Sequence, residues 1–183
     1  MPVTEQTYLC VVQESPEGQW ELHDGRLLEK PPMSWDHGDV ISYLAHMLLL
    51  QLKRDEYRVH VNHSRLRRSA KHYFVPDVAV IPIAFGRLLR GRPDGLEVYT
   101  DPLPLVVEVW SPSTGGYDVD AKLPEYQRRG DQEIWRLHPY DRTLTAWCRQ
   151  PDGTYEATVY HGGRVRPVAL PGVEIDLDEL FDT

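Results

Sequence analysis

Glu108 stands inside the apolar run Leu105-Val106-Val107-Glu108-Val109-Trp110. An unpaired carboxylate buried there would cost several kcal/mol, so it must be ion-paired, hydrogen-bonded or bound to a metal. A buried salt bridge with one of the chain's arginines is one way to satisfy it. Asp77 is a second acid of this kind: it follows Pro76, which forces an extended entry, and opens the apolar run Val78-Ala79-Val80-Ile81. Alone it reads as a strand-start aspartate. Two carboxylates at the ends of adjacent core strands, with Lys122 following Glu108, make a different proposition. Carboxylate oxygens hold Mg²⁺ or Mn²⁺. Such a cation polarises a phosphoryl oxygen and activates water, while a lysine steers the nucleophile and offsets developing negative charge. Lys122 is the only cation between Trp110 and Glu125. Together these residues suit phosphodiester hydrolysis.

The surrounding elements must present these groups. Trp20-Glu21-Leu22-His23 and Arg26-Leu27-Leu28-Glu29 flank Asp24-Gly25, a pair suited to the positive φ angles of a tight hairpin. Pro31-Pro32 stops the pairing, and Ser34 can cap a helix running to about Arg54, with Val40, Leu44, Met47 and Leu48 at helical spacing. Tyr57, Val59 and Val61 alternate with Arg58, His60 and Asn62, the pattern of a half-buried strand. By the same alternation His60 and His63 fall on opposite faces, so no zinc pair is expected. Residues 64–72 read as a basic connector and residues 83–103, rich in Gly, Pro and Arg, as a long loop. Leu103–Trp110 reads as a central strand. A short helix from about Asp120 to Arg129 ends at Gly130, with Pro124 inside it, where the missing N–H and the crowding of the Asp120 carbonyl disturb a regular turn. Glu133–Leu137, Thr143–Arg149 and Thr154–Tyr160 read as strands, Arg164–Leu170 as one more, and Leu177–Phe181 as a final helical turn.

The chain's 183 residues carry a formal charge of −8, with 41% hydrophobic and 26% charged residues, figures that exclude a disordered or collagenous chain. They suit one domain over 1–183, with 1–18 as a loosely attached N-terminal segment. There is no run long enough for a membrane span and no signal-peptide pattern, and Cys10 and Cys148 cannot build a disulfide framework. A cytoplasmic protein without a membrane partner is expected. The charge is unevenly placed. From Lys53 to Arg92 ten basic residues face three acidic ones, giving +7 there and leaving −15 on the remainder. Arg65, Arg67, Arg68 and Lys71 in that stretch are the candidates for phosphate contacts, since a local field is what meets a nucleic-acid backbone.

Several of these motifs coincide in one known pattern. Pro76-Asp77, Glu108-Val109-Trp110-Ser111-Pro112-Ser113-Thr114, Lys122, Tyr126, Gly130 and Glu133-Ile134-Trp135 together resemble the Uma family of restriction endonucleases, within the PD-(D/E)xK, restriction-endonuclease-like superfamily. The match extends upstream to Glu21–Leu27, Pro32, Ser34 and His37, and downstream to Leu170-Pro171-Gly172 and Leu177–Phe181.

The resemblance implies an α/β (α+β) fold: a mixed central β-sheet flanked by helices, with an N-terminal hairpin and additional C-terminal antiparallel strands. It implies Asp77, Glu108 and the backbone carbonyl of Val109 as ligands of Mg²⁺ (or Mn²⁺), and DNA as substrate. The superfamily's usual lysine position, two after the glutamate, is Trp110 here; the Uma pattern takes its lysine from the following helix, where Lys122 stands four residues before Tyr126. His37 matches the family's histidine near the first helix start, and Glu29 on the hairpin is a candidate additional acid. A homodimer would supply two sites for two strands. The competing readings are a catalytically inactive nuclease fold that binds nucleic acid and a protein-interaction domain in which Glu108 only makes a salt bridge.

Overall fold

A computed structural model describes residues 2–15 and 17–182. The chain begins with helix α1 (Glu5–Glu14), capped by Thr4, and continues through the hairpin β1 (Trp20–His23) and β2 (Arg26–Glu29). Asp24 (φ 48°) and Gly25 (φ 74°) supply its two left-handed turn residues. Helix α2 spans Trp35–Gln51; it is followed by β3 (Tyr57–Val61), β4 (Arg65–Ser69), β5 (His72–Phe74), β6 (Val78–Pro82) and a single turn, α3 (Ile83–Gly86). After β7 (Val98–Tyr99) and β8 (Leu105–Val109) comes a helical passage in three parts: α4 (Gly115–Tyr117), a π-turn (Asp118–Lys122) and α5 (Leu123–Arg129). Strands β9 (Glu133–His138), β10 (Thr143–Arg149), β11 (Tyr155–Tyr160), β12 (Arg164–Val165) and β13 (Ile175–Asp176) precede α6 (Leu177–Leu180).

Two large sheets and the small antiparallel pair β12–β13 organise these elements. The central one has six strands in the order β11-β10-β9-β8-β6-β3 and is mixed, with β8 and β9 parallel and the other pairs antiparallel. The expected mixed sheet is therefore present, and the C-terminal strands β10 and β11 extend it. One face packs on α2: Val40, Leu44 and Leu48 lie against Val78, Val80, Val107 and Val109. The other face, carrying Ala79, Ile81, Val106 and Ile134, packs on Leu66, Phe74 and Tyr99 from a second sheet and on Tyr126 from α5.

That second sheet, β2-β1-β5-β4-β7, is the main departure from the sequence reading. Residues 64–72, expected as a basic connector, form β4 and its turn into β5. Only Leu66 in Arg65-Leu66-Arg67-Arg68-Ser69 is buried, so the apolar alternation that marks a strand is nearly absent. The N-terminal segment, expected to be loosely attached, folds as α1. Tyr8 and Val12 are buried against Leu22 and Tyr73, and the Tyr8 hydroxyl donates to the Trp20 carbonyl at 3.0 Å. The extra strand expected over Arg164–Leu170 is limited to β12. The passage around Pro124 explains its own irregularity. Proline cannot donate to the Asp120 carbonyl; just before it the Leu123 N–H reaches back to Asp118, and Pro124 falls in the first turn of α5, where a missing donor costs least.

Candidate active site

The register of β6 with β8 fixes the relation of the two acids. Val78 pairs with Val107 and Ala79 with Val106, so one step further Asp77 stands opposite Glu108. Val78 and Val107 point into the α2 core, so alternation turns Glu108 to the other face of β8, while Asp77 sits in the bend just before β6, and the two line one small cavity. Both are nearly fully buried.

Asp77 is held on three sides. Lys30 Nζ lies 2.7 Å from Oδ1, His37 Nε2 lies 3.1 Å from Oδ2, and the Val109 N–H donates to Oδ2 at 2.7 Å. Ser34 positions the histidine: as N-cap of α2 it accepts from the His37 N–H, which puts His37 in the first turn beside β6. Burial opposes ionisation of Asp77. The Lys30 ammonium and the His37 hydrogen bond outweigh it and hold the carboxyl well below the usual range.

Glu108 has a different environment. Tyr126 donates to its Oε1 at 2.6 Å and Lys122 Nζ approaches at 3.2 Å. Burial pushes its pKa up to about 8; Lys122 pulls the other way, and the charges of Asp118 and Asp77 add to the rise. Lys122 is itself 2% exposed and stands among three carboxylates, Glu21 at 3.0 Å, Glu108 at 3.2 Å and Asp118 at 3.3 Å. Burial disfavours its charge, but the three acids together hold the ammonium ionised.

The Ser-Pro-Ser-Thr segment supports this group. Ser111 Oγ and Thr114 Oγ1 are 2.8 Å apart, and Thr114 Oγ1 donates to Asp118 Oδ2 at 3.1 Å, turning the other oxygen of Asp118 toward Lys122. That oxygen is buried, and although Lys122 is near it, no hydrogen bond satisfies it. Trp110, two residues after Glu108, is directed elsewhere: its ring stacks on His138 with centroids 4.2 Å apart. A Cβ at residue 115 would lie 2.1 Å from the Trp110 Nε1, so glycine is needed there.

The structure thus brings together Asp77, Glu108, Lys122, Tyr126 and His37. It adds Lys30, Glu21 and Asp118, which sequence reasoning missed. Asp118 had a usable signal, an acid four residues before Lys122 on one helical face. Glu21, a charge between Trp20 and Leu22 in a four-residue strand, had a weaker one. Glu29 is exposed on β2, and it is the next residue, Lys30, that enters the site. The basic candidates are differently engaged. Arg67 is ion-paired with Glu5 at 2.7 Å and Arg68 with Glu125 at 3.4 Å, Arg65 donates to the His63 carbonyl, and Lys71 is exposed at the β4–β5 turn.

The donor set suits a small hard cation. Asp77, Glu108, Asp118 and Glu21 offer four carboxylates against the ammonium groups of Lys30 and Lys122, a balance that a divalent ion would close, through the oxygen ligands Mg²⁺ and Mn²⁺ prefer. Lys30, His37, Asp77, Glu108, Asp118 and Lys122 line a cavity of about 10 Å³, room for a single ion or water.

The family model described as "Putative restriction endonuclease", Uma2, matches residues 5–178. This chain belongs to the Uma2 family. Among solved structures it is similar to the crystal structure of "a putative nuclease belonging to DUF820" from Anabaena variabilis, with a TM-score of 0.78 and 19% identity over 98% of both chains, a likeness that shows the fold. A search of functionally curated proteins finds no match. No helix among the described residues is long and apolar enough to cross a membrane.

Proposed function

We propose that this Uma2 protein is a Mg²⁺- or Mn²⁺-dependent endonuclease that hydrolyses phosphodiester bonds in DNA. The observation that carries the reading is that Asp77, just before β6, and Glu108 of β8 line one small cavity beside a buried lysine. Asp77, Glu108 and the carbonyl of Val109 would hold the cation, and the Val109 N–H bond to Asp77 keeps that backbone segment in place. When bound, the cation supplies Lewis-acid polarisation of the phosphoryl group and activation of water.

The chain's own groups do the rest. Lys30 and His37 fix Asp77 in its ionised form, and the Tyr126 hydroxyl orients Glu108. Lys122 orients the attacking water and offsets the charge that grows on the phosphoryl oxygens. A homodimer would place one such centre on each strand of a duplex, in the cytoplasm where the substrate resides.

One observation favours the rival in which Glu108 is only structural: Lys122, in place of the expected arginine, makes a buried ion pair with it. That reading leaves unexplained why Asp77 stands opposite, held by its own cation. Supercoiled plasmid incubated with Mg²⁺ or Mn²⁺ separates the two. Nicking by the parent and none by Asp77→Asn or Glu108→Gln is expected, while a parent that binds the cation without nicking would make this an inactive nuclease fold.

A further inference from the structure

Away from that site, the end of β3 carries a cluster that strand alternation does not anticipate. His60 and His63 were expected on opposite faces. Asn62 between them adopts a left-handed conformation (φ 57°), which breaks the alternation and folds the second imidazole back over the first, with ring centroids 4.5 Å apart. Both then converge on Glu97, which ends the arginine-rich segment. His60 Nδ1 lies 2.7 Å from Glu97 Oε1, and His63 Nε2 lies 3.4 Å from Glu97 Oε2. The three ligand atoms all fall within 4.8 Å of one another.

Those spacings are close to what one tetrahedral ion requires. Bonds of about 2.0–2.1 Å to nitrogen and oxygen put neighbouring ligand atoms roughly 3.3 Å apart. Two imidazoles and one carboxylate form a borderline donor set, suited to Zn²⁺ and poorly suited to Mg²⁺. Ser64 Oγ donates to Glu97 Oε1 at 2.6 Å, the supporting contact that orients a ligating carboxylate. Access is open. The His63 side chain is 54% exposed, and His60 and Glu97 also line a cavity of about 280 Å³ whose water can fill a fourth position.

We propose that His60, His63 and Glu97 form a binding site for a divalent transition metal of the zinc type, which fastens the arginine-rich segment 83–97 to the end of β3. The ion would take the place of the direct contacts that now join the two imidazoles to the carboxylate. The segment, in which Arg87, Arg90 and Arg92 are exposed, would then be held at both ends: by α3, which leads directly out of β6, and by Glu97.

Zinc is titrated calorimetrically into the full chain in saturating Mg²⁺, which occupies oxygen-only sites. His23, Asp24 and His72 form a second grouping, so the decisive quantity is which equivalent disappears. His63→Ala, at an exposed position, and Glu97→Gln should each weaken the same equivalent by at least roughly 10–100-fold, the scale on which even supporting residues tune metal affinity. His72→Ala and Asp77→Asn should retain it. Zinc should also slow tryptic cleavage after Arg87 and Arg90 in the parent and not in His63→Ala. No uptake by the parent, full retention by His63→Ala, or cleavage indifferent to zinc would overturn the proposal. None of these readouts depends on nuclease activity, so a failure of the endonuclease reading leaves the test intact.

Discussion

Replacing Lys122 by methionine keeps the length of the side chain and removes its charge. In the folded protein this strands Glu21, Glu108 and Asp118, each within 3.3 Å of the lost ammonium and each buried. Breaking a buried ion pair by deleting one partner costs ~3–5 kcal/mol. The lower end applies here, because Glu108, whose pKa burial already raises to about 8, can take up a proton and shed its charge. For a chain of this size each kcal/mol moves the melting temperature by roughly 2–4 °C, so Lys122→Met should melt about 6–12 °C below the parent without metal. Calorimetric or circular-dichroism melts measure this directly. Two controls belong with it. Adding Glu21→Gln to Lys122→Met should recover part of the loss by removing one stranded charge, and Mg²⁺ should raise the melting temperature of Lys122→Met more than that of the parent, since a cation can stand in for the ammonium. A melting temperature equal to the parent's, or a double variant no better than the single, would refute the buried network. Below its own melting temperature, Lys122→Met should still bind the cation and not nick DNA.

Three further outcomes follow from named contacts. Glu108 has a raised pKa when folded and an ordinary one near 4.5 when unfolded, so between those values the folded state holds the extra proton; metal-free stability should therefore fall as pH rises from about 4.5 to 8, and the fall should shrink in Glu108→Gln melts. Parallel curves for the two proteins would exclude it. Tyr8→Ala empties a fully buried position under α1 and should destabilise by ~3–5 kcal/mol, the range for a large core aromatic, whereas a neutral change in a denaturant titration would mean that α1 is not fastened to β1 and β5. Arg87, Arg90 and Arg92 are exposed, so changing all three to glutamate should weaken DNA binding about equally for all sequences and reduce its salt dependence by up to three contacts' worth, measured by fluorescence anisotropy at several salt concentrations; an unchanged slope would place the phosphate contacts elsewhere.

The parts of this molecule legible in its sequence are those whose signal is local. Val40, Leu44 and Leu48 announce α2 by their spacing, and Ser34 announces its start, because a helix face and its cap are properties of neighbouring residues. Leu105–Val109 is readable for a similar reason, and the charge inside it flags Glu108 as a residue that needs a partner. What could not be read is the identity of that partner. Glu108 meets Lys122 and Tyr126 on a helix, while Lys122 meets Glu21 on a hairpin strand more than a hundred residues earlier in the chain. No spacing rule connects positions brought together only when the second sheet closes over the first. Lys122 illustrates the consequence. Read along the helix it is a surface lysine, and its spacing to Tyr126 says only that the two share a face. The fold places it almost wholly out of water, where a lone ammonium would lose its proton, and keeps it charged by surrounding it with acids that would themselves be unstable alone. The same interdependence governs His60 and His63. Two-residue alternation separates them until Asn62 adopts a positive φ, a single backbone choice that regular strand geometry cannot encode and that decides which side chains can meet.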